Sequence, residues 1–154
     1  MNAATDRIEK QIVLKAPRAR VWQALTTAEK FGEWFGVELQ GKTFTVGQRV
    51  QGAKANCSGE SVKGDYFNAL IERIDPEQYF AYRWHPYAAD KSTDLSNEPE
   101  TLVEFELKET AEGTLLQVVE SGFDRLTAAR RTESYPMHTG GWEHQLKSIE
   151  SYLA

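Results

Sequence analysis

The sequence predicts an α+β fold: a curved antiparallel sheet of about six to seven strands wrapped around a long C-terminal helix. Three observations carry this. Between Val37 and Ser121 the apolar period is mainly two, the mark of half-buried strands. The final helix repeats Trp142, Leu146, Ile149 and Leu153, a stripe that must lie on a large apolar surface. A first strand followed by a Pro-initiated helix with Val21, Trp22, Ala24 and Leu25 opens the chain. A helix held across a concave sheet encloses a cavity, and a cavity can take an apolar molecule.

The elements follow in order. Ile8, Ile12 and Leu14 alternate with Glu9, Gln11, Val13 and Lys15 as a first strand that stops at Ala16-Pro17. Pro17 suits the first position of a helix because its missing N–H would have no intrahelical partner there. Thr26 and Glu29 have capping-box spacing and predict a second helix, with Phe31, Trp34 and Phe35 on one face and Gly36 closing it. Strands are then expected over Val37–Gln40, Gln48–Ala55, Ser61–Ile74, Gln78–His85, Thr101–Lys108 and Thr114–Ser121. Turns fall at Gly41-Lys42, Asp75-Pro76-Glu77 and Ala111-Glu112-Gly113. The polar stretch Pro86–Glu100, with two prolines, reads as a long loop, either a tip or a lid over a cavity mouth. A short helical patch over Asp124–Arg131 precedes the last helix, which is expected to start at Tyr135-Pro136. Gly140 and Gly141 are read as steric, letting that helix approach the sheet.

Composition narrows the function. The 154 residues fit one domain, with a core over about residues 7–154, and no linker-like stretch divides them. Eighteen Lys and Arg are interspersed among twenty-three Asp and Glu for a net charge of −5, so nucleic-acid binding is disfavoured. Cys57 is the only cysteine, which excludes an internal disulfide and a cysteine-based zinc cluster and fits a reducing cytoplasm. Met1–Asp6 has no apolar segment and no uncharged run approaches a membrane span, so a soluble, unexported protein is expected. Four Trp, six Tyr and seven Phe are enough to line a pocket as well as fill a core.

Candidate chemistry is sparse. His85 lies at a strand end, and His138 and His144 are on different faces of the last helix, so no metal is expected. His138 sits one turn before Trp142 on the apolar stripe and faces the sheet or the cavity mouth, as a ligand contact or as a structural histidine. No nucleophile motif, phosphate loop or cofactor motif is present; Cys57 lies in the turn-like Asn56-Cys57-Ser58-Gly59 without a neighbouring base. No catalytic residue and no cofactor are therefore assigned.

Glu120 is the sharpest candidate. Alternation puts it on one face with Leu116 and Val118, and the other face carries Leu115, Gln117 and Val119. If the first set is inward, desolvation should raise the carboxyl pKa, and Glu120 could anchor a ligand's polar group or act as an acid or base. A solvated or Arg-paired carboxylate at a strand end is the rival reading. Phe80, Tyr82 and Trp84 share one strand face, as do Val103, Phe105 and Leu107 on the next, and both rows read as inner. The expected ligand-binding set is Trp34, Phe35, Tyr82, Trp84, Phe105, Glu120, His138 and Trp142.

Several pieces, in this order and spacing, carry a family resemblance: Ala16-Pro17, Val21-Trp22-Gln23-Ala24-Leu25, Trp34-Phe35, Tyr82-Arg83-Trp84, Gly113-Thr114, Ser121-Gly122-Phe123 and Gly141-Trp142. Together they resemble the helix-grip fold of the START-like superfamily, and specifically the family named after the activator of the heat-shock protein 90 ATPase. The resemblance implies a sheet gripping the C-terminal helix, two small helices filling one end, and an internal cavity for lipid-like or aromatic ligands. Relatives so implied include binders of hydrophobic metabolites, polyketide cyclases and aromatases, and the co-chaperone itself. The co-chaperone's separate N-terminal domain, which makes much of the chaperone contact, has no counterpart in these 154 residues, which weighs against that role. The expectation is binding of a lipid, polyketide or aromatic metabolite between sheet and helix. A cyclase or aromatase using the same cavity and a co-chaperone-like module with a chaperone partner are the alternatives.

Overall fold

The structure, a computed structural model, describes residues 7–55, 61–85 and 99–154, with backbone only at 53–55, 61–66, 130, 133 and 134. The segment Met1–Asp6, the Asn56–Gly59 turn with Cys57, and the Pro86–Glu100 loop except Pro99 and Glu100 lie outside the described residues. The elements are β1 (Arg7–Leu14), α1 (Arg18–Thr26), α2 (Ala28–Phe35), β2 (Arg49–Ala55), β3 (Ser61–Asp75), β4 (Tyr79–Trp84), β5 (Thr101–Thr110), β6 (Gly113–Ser121) and α3 (Ala128–Leu153), with a 3₁₀ turn at Phe123–Arg125. Six strands form one curved antiparallel sheet in the order β1-β6-β5-β4-β3-β2. The chain thus meanders from β2 to β6, and β1 closes the far edge against β6.

Alternation does what the sequence implied. Val103, Phe105 and Leu107 on β5, Leu116 and Val118 on β6, and Phe80, Tyr82 and Trp84 on β4 are all buried. Between Ile71 and Arg73 the β3–β4 register shifts by one, so Glu72 is an extra residue on β3, and a bulge of this kind bends a strand and adds twist. Across the concave face α3 buries Trp142, Leu146, Ile149 and Leu153, the predicted stripe.

Side chains tie the helices together by satisfying orphaned helix-end carbonyls. Trp34 Nε1 donates to Ala24 O at 2.8 Å, while Gln145 Nε2 and Ser148 Oγ on α3 donate to Phe35 O and Trp34 O at 3.1 and 2.6 Å. At the other junction Thr114 Oγ1 donates to Ala16 O at 2.8 Å. Beside it, Gly113 has φ +149°, and a Cβ there would stand 2.1 Å from Leu14 O, so only glycine fits.

Several expectations are corrected. Thr26 and Glu29 form no capping box: α1 runs on through Thr26, whose hydroxyl donates to Trp22 O at 2.8 Å, so the cap of α2 moves to Thr27. Glu29 instead accepts a hydrogen bond from Gly41 N at 3.2 Å. Pro17 is the cap of α1 rather than its first helical residue, and its carbonyl accepts from Arg20 N and Val21 N. Val37–Gln40 makes only a single bridge at Val37; Gly36 and Gly41, both at positive φ, leave too little chain between turns for a strand.

The last helix begins at Ala128, not at Tyr135-Pro136, and Pro136 lies inside it. Proline denies a bond to the carbonyl of Thr132, but both residues are exposed, so water can serve that carbonyl. The added turns are held from outside, by Tyr135 Oη on Arg7 O at 3.0 Å and by the Tyr135 ring against Phe123 at 5.2 Å. Gly140 and Gly141 do not face the sheet: both are exposed, with nothing within 4 Å of where a Cβ would stand.

Candidate functional site

The register of β4, β5 and β6 assembles the site. Tyr82 pairs with Val103 and Val103 with Glu120, so these three form a row across the inner face. One step along, Trp84 pairs with Thr101. From above, His138 and Trp142, one turn apart on α3, reach down to the same point.

They meet at Glu120, which is 0% exposed. Its Oε1 is 2.6 Å from His138 Nδ1 and accepts from Trp142 Nε1 at 2.8 Å. Its Oε2 accepts from Trp84 Nε1 at 2.8 Å and from Thr101 Oγ1 at 2.5 Å. A carboxylate has about four acceptor positions, and all four are occupied.

The inward orientation agrees with the alternation, but the expected rise in pKa is reversed. Burial is the largest single influence and pushes the carboxyl up; the His138 charge and the hydrogen bonds from His138, Thr101 and Trp84 together outweigh it and hold Glu120 below its ordinary value. Glu120 is therefore ionised and cannot serve as an acid near neutrality. Because the carboxylate only accepts, His138 Nδ1 must be the donor, which determines the ring's tautomer or leaves it doubly protonated.

Around this point the interior is aromatic. Trp84 lies 6.0 Å from Trp142, 5.2 Å from Tyr82 and 5.9 Å from Phe35, centroid to centroid. Trp142 also meets Phe35 at 6.1 Å and Phe105 at 5.8 Å. Seven of the eight residues singled out from sequence are thus linked in one cluster around Glu120. Trp34 joins it at the margin, through Phe35: its ring packs on Phe31 and Phe35 and its N–H is spent on α1.

Among the described residues three buried side-chain atoms have no hydrogen-bond partner, Arg18 Nε, Gln145 Oε1 and the Tyr82 hydroxyl, and of these only Tyr82 belongs to this aromatic cluster. Tyr82 is 1% exposed, and its hydroxyl has no hydrogen-bond partner among the described residues. Burial, then the Glu120 charge, push its pKa well above the ordinary value, so it remains a protonated donor.

Sequence reasoning missed Thr101 and Phe123. Thr101 has the same strand parity as Val103 and Phe105, a usable signal, but its partner is revealed only by pairing with Trp84. Phe123 lies against His138 at 6.1 Å, a contact no spacing announces. Among the described residues, no three His, Cys, Asp or Glu side chains gather as a metal site, and no helix is long and apolar enough to cross a membrane.

Comparison with known proteins follows the fold. Protein MLL2253 from Mesorhizobium loti is 21% identical, with 96% of each chain covered and a TM-score of 0.68. Ms6760 from Mycobacterium smegmatis is 17% identical, covering 98% of this chain and 92% of its own, with a TM-score of 0.76. DynU16, a protein of the dynemicin biosynthetic locus, is 22% identical over 96% of this chain and 47% of its own, with a TM-score of 0.70. At these identities the likeness establishes the fold alone. No curated protein matches the sequence. The family model described as Activator of Hsp90 ATPase homolog 1-like protein matches residues 15–154, and the chain belongs to that family.

Proposed function

We propose that the protein binds a hydrophobic or amphipathic small molecule, a lipid, polyketide or aromatic metabolite, between the sheet and α3. The Tyr82 hydroxyl carries this reading. A buried donor without a partner costs about 1–3 kcal/mol and is rare in a native interior, so a polar atom from outside the chain is its natural complement. The surroundings support the same conclusion: Phe35, Trp84, Phe105 and Trp142 offer dispersive contact, and one donor fixes orientation.

In this reading Glu120 is an organiser rather than the ligand's anchor. With all four acceptor positions filled, a ligand could reach it only by displacing His138, Thr101 or a tryptophan, and it instead holds those groups in place. Amide chemical-shift mapping with fatty acids, flavonoids and polyketide mimics is expected to move signals in α2, the inner strands and α3. Shifts confined to the outer surface, or none with any compound, would end the proposal. Tyr82→Phe should fold at least as stably as the parent and bind a carbonyl-bearing flavonoid roughly tenfold more weakly, the value of one hydrogen bond.

The second reading is a cyclase-type activity in the same space, for which the unpartnered Tyr82 hydroxyl beside His138 is the favouring observation. Such an enzyme would have to draw its acid and base from Tyr82 and His138, since Glu120 is saturated. Turnover of a polyketide mimic, read by mass spectrometry and lost in Tyr82→Phe, would replace simple binding by this reading.

A further inference from the structure

The charge on His138 follows from what surrounds Glu120. The carboxylate is fully buried and ionised, and three of the four groups that donate to it are neutral: the indoles of Trp84 and Trp142 and the hydroxyl of Thr101. A buried carboxylate needs a counter-charge, and His138, 2.6 Å away through Nδ1, is the one donor of the four able to supply it. The ring is therefore an imidazolium with a proton on each nitrogen. Its Nε2 has no hydrogen-bond partner among the described residues. The side chain is 15% exposed and Nε2 is not one of the sealed polar atoms without a partner, so the atom can be reached from outside. Trp84 at 5.6 Å and Phe123 at 6.1 Å hold the ring in T-shaped contacts. Both polar atoms that the cluster leaves open, Tyr82 Oη and His138 Nε2, are thus donors.

We infer that the site takes an amphipathic carboxylic acid and that the Nε2–H of a positively charged His138 receives its carboxylate. This rests on the binding reading and adds to it the ligand's head group. The imidazolium then stands between two carboxylates, Glu120 on Nδ1 and the ligand on Nε2. Glu120 does not exhaust its attraction, because two indoles and Thr101 already spread the Glu120 charge over neutral donors. A bond between ionised donor and ionised acceptor is about twice as strong as a neutral one. A head group at a partly exposed nitrogen also keeps part of its water, so its desolvation costs less than that of Glu120. A neutral amide would gain only the weaker bond, and an ammonium would meet a positive N–H. The apolar part of the molecule is left to Phe35, Trp84, Phe105 and Trp142.

Two measurements on the wild-type chain near neutral pH test this. The ¹⁵N resonances of the His138 ring should show a proton on both nitrogens in the free protein; an Nε2 without one overturns the inference. Calorimetric titration then compares three probes of similar shape: 2-naphthoate, 2-naphthamide and 2-naphthylmethylammonium. The naphthoate is expected to bind about tenfold more tightly than the amide, with the ammonium weakest. In His138→Phe that preference should vanish while the amide still binds; a preference that survives the substitution places the carboxylate elsewhere and overturns the inference. Should the variant not fold, the wild-type Nε2 resonance serves instead: it should move farther with the naphthoate than with the amide. Equal affinities for naphthoate and amide, or tighter binding of the ammonium, would overturn this inference and leave the binding reading intact. If none of the three binds, the binding reading falls and this falls with it.

Discussion

Glu120 on β6 and Glu104 on β5 both accept hydrogen bonds from aromatic side chains, yet they face opposite sides of the sheet. Glu104 takes the Tyr79 hydroxyl on the half-exposed outer face, where Arg73 also lies over the Tyr79 ring at 5.2 Å. That face lines a cleft of about 620 Å³ whose walls mix Arg18, Arg73 and Lys108 with Asp75, Glu106 and Glu109. Water and mixed charge make each contact there replaceable. Glu120 sits fully buried among rings, and every acceptor position is taken by a donor drawn from another element. The difference teaches where a carboxylate organises structure. Outside, it is one of many exchangeable partners; inside, one carboxylate sets the orientation of two indoles, a threonine and a histidine.

The largest expected effect tests the inner clamp. Trp142→Ala removes a buried ring and one of the four donors to Glu120, and should cost about 3–5 kcal/mol in chemical denaturation. A midpoint that hardly moves would mean that α3 is not gripped, and the contrast between faces would collapse.

Glu120→Gln comes next. The amide nitrogen would turn a donor toward donors, so a loss of about 1.5–3 kcal/mol at pH 7 is expected. The pH dependence sharpens it. A carboxyl whose folded pKa lies below its unfolded value of about 4.3 contributes stability that is fully present above that value. That contribution is lost as pH falls through the folded value. Wild-type denaturation midpoints should therefore drop on acidification below about pH 4.3, and Glu120→Gln should show a flatter profile over that window. A wild-type protein that gains stability there would reverse the assigned charge.

Smaller effects probe the outer side. Gly141→Ala should stabilise the protein by about 0.5–1 kcal/mol, because a Cβ meets nothing and the helix loses a flexible residue from its unfolded state. Destabilisation would place Gly141 against a neighbour. Glu104→Gln should change stability by no more than about 1 kcal/mol in either direction, the scale of one half-exposed contact. It should also leave ligand-induced shifts of α3 untouched, whereas a clamp-sized loss would erase the distinction between the two glutamates.

The legible part of the site was its local geometry. Parity along β6 put Glu120 on one face with Leu116 and Val118, which the structure shows to be the inner one, and the one-turn spacing of His138 and Trp142 put both over the sheet. What could not be read was which groups would stand opposite. Thr101 and Trp84 reach Glu120 only because β4, β5 and β6 pair in one particular register, and those donors reverse the pKa direction expected from burial alone. The start of α3 was hidden for a similar reason. Pro136 is a local stop signal, overridden by contacts of Tyr135 with Arg7 and Phe123, residues distant in sequence. Gly140-Gly141 misled because glycine records freedom from a side chain without recording which side is crowded.

By itself, then, the sequence determined the alternation of the strands, the apolar stripe of the last helix and the sharing of one strand face by Leu116, Val118 and Glu120, because each depends on the backbone's own periods of two and 3.6. Only the tertiary structure decided that Glu120 is saturated and ionised, that Tyr82 is left without a partner, and that His138 keeps one nitrogen open. Hydrogen-bond satisfaction is a property of atoms a few ångströms apart in space, and strand register and helix docking, rather than neighbours along the chain, set those distances.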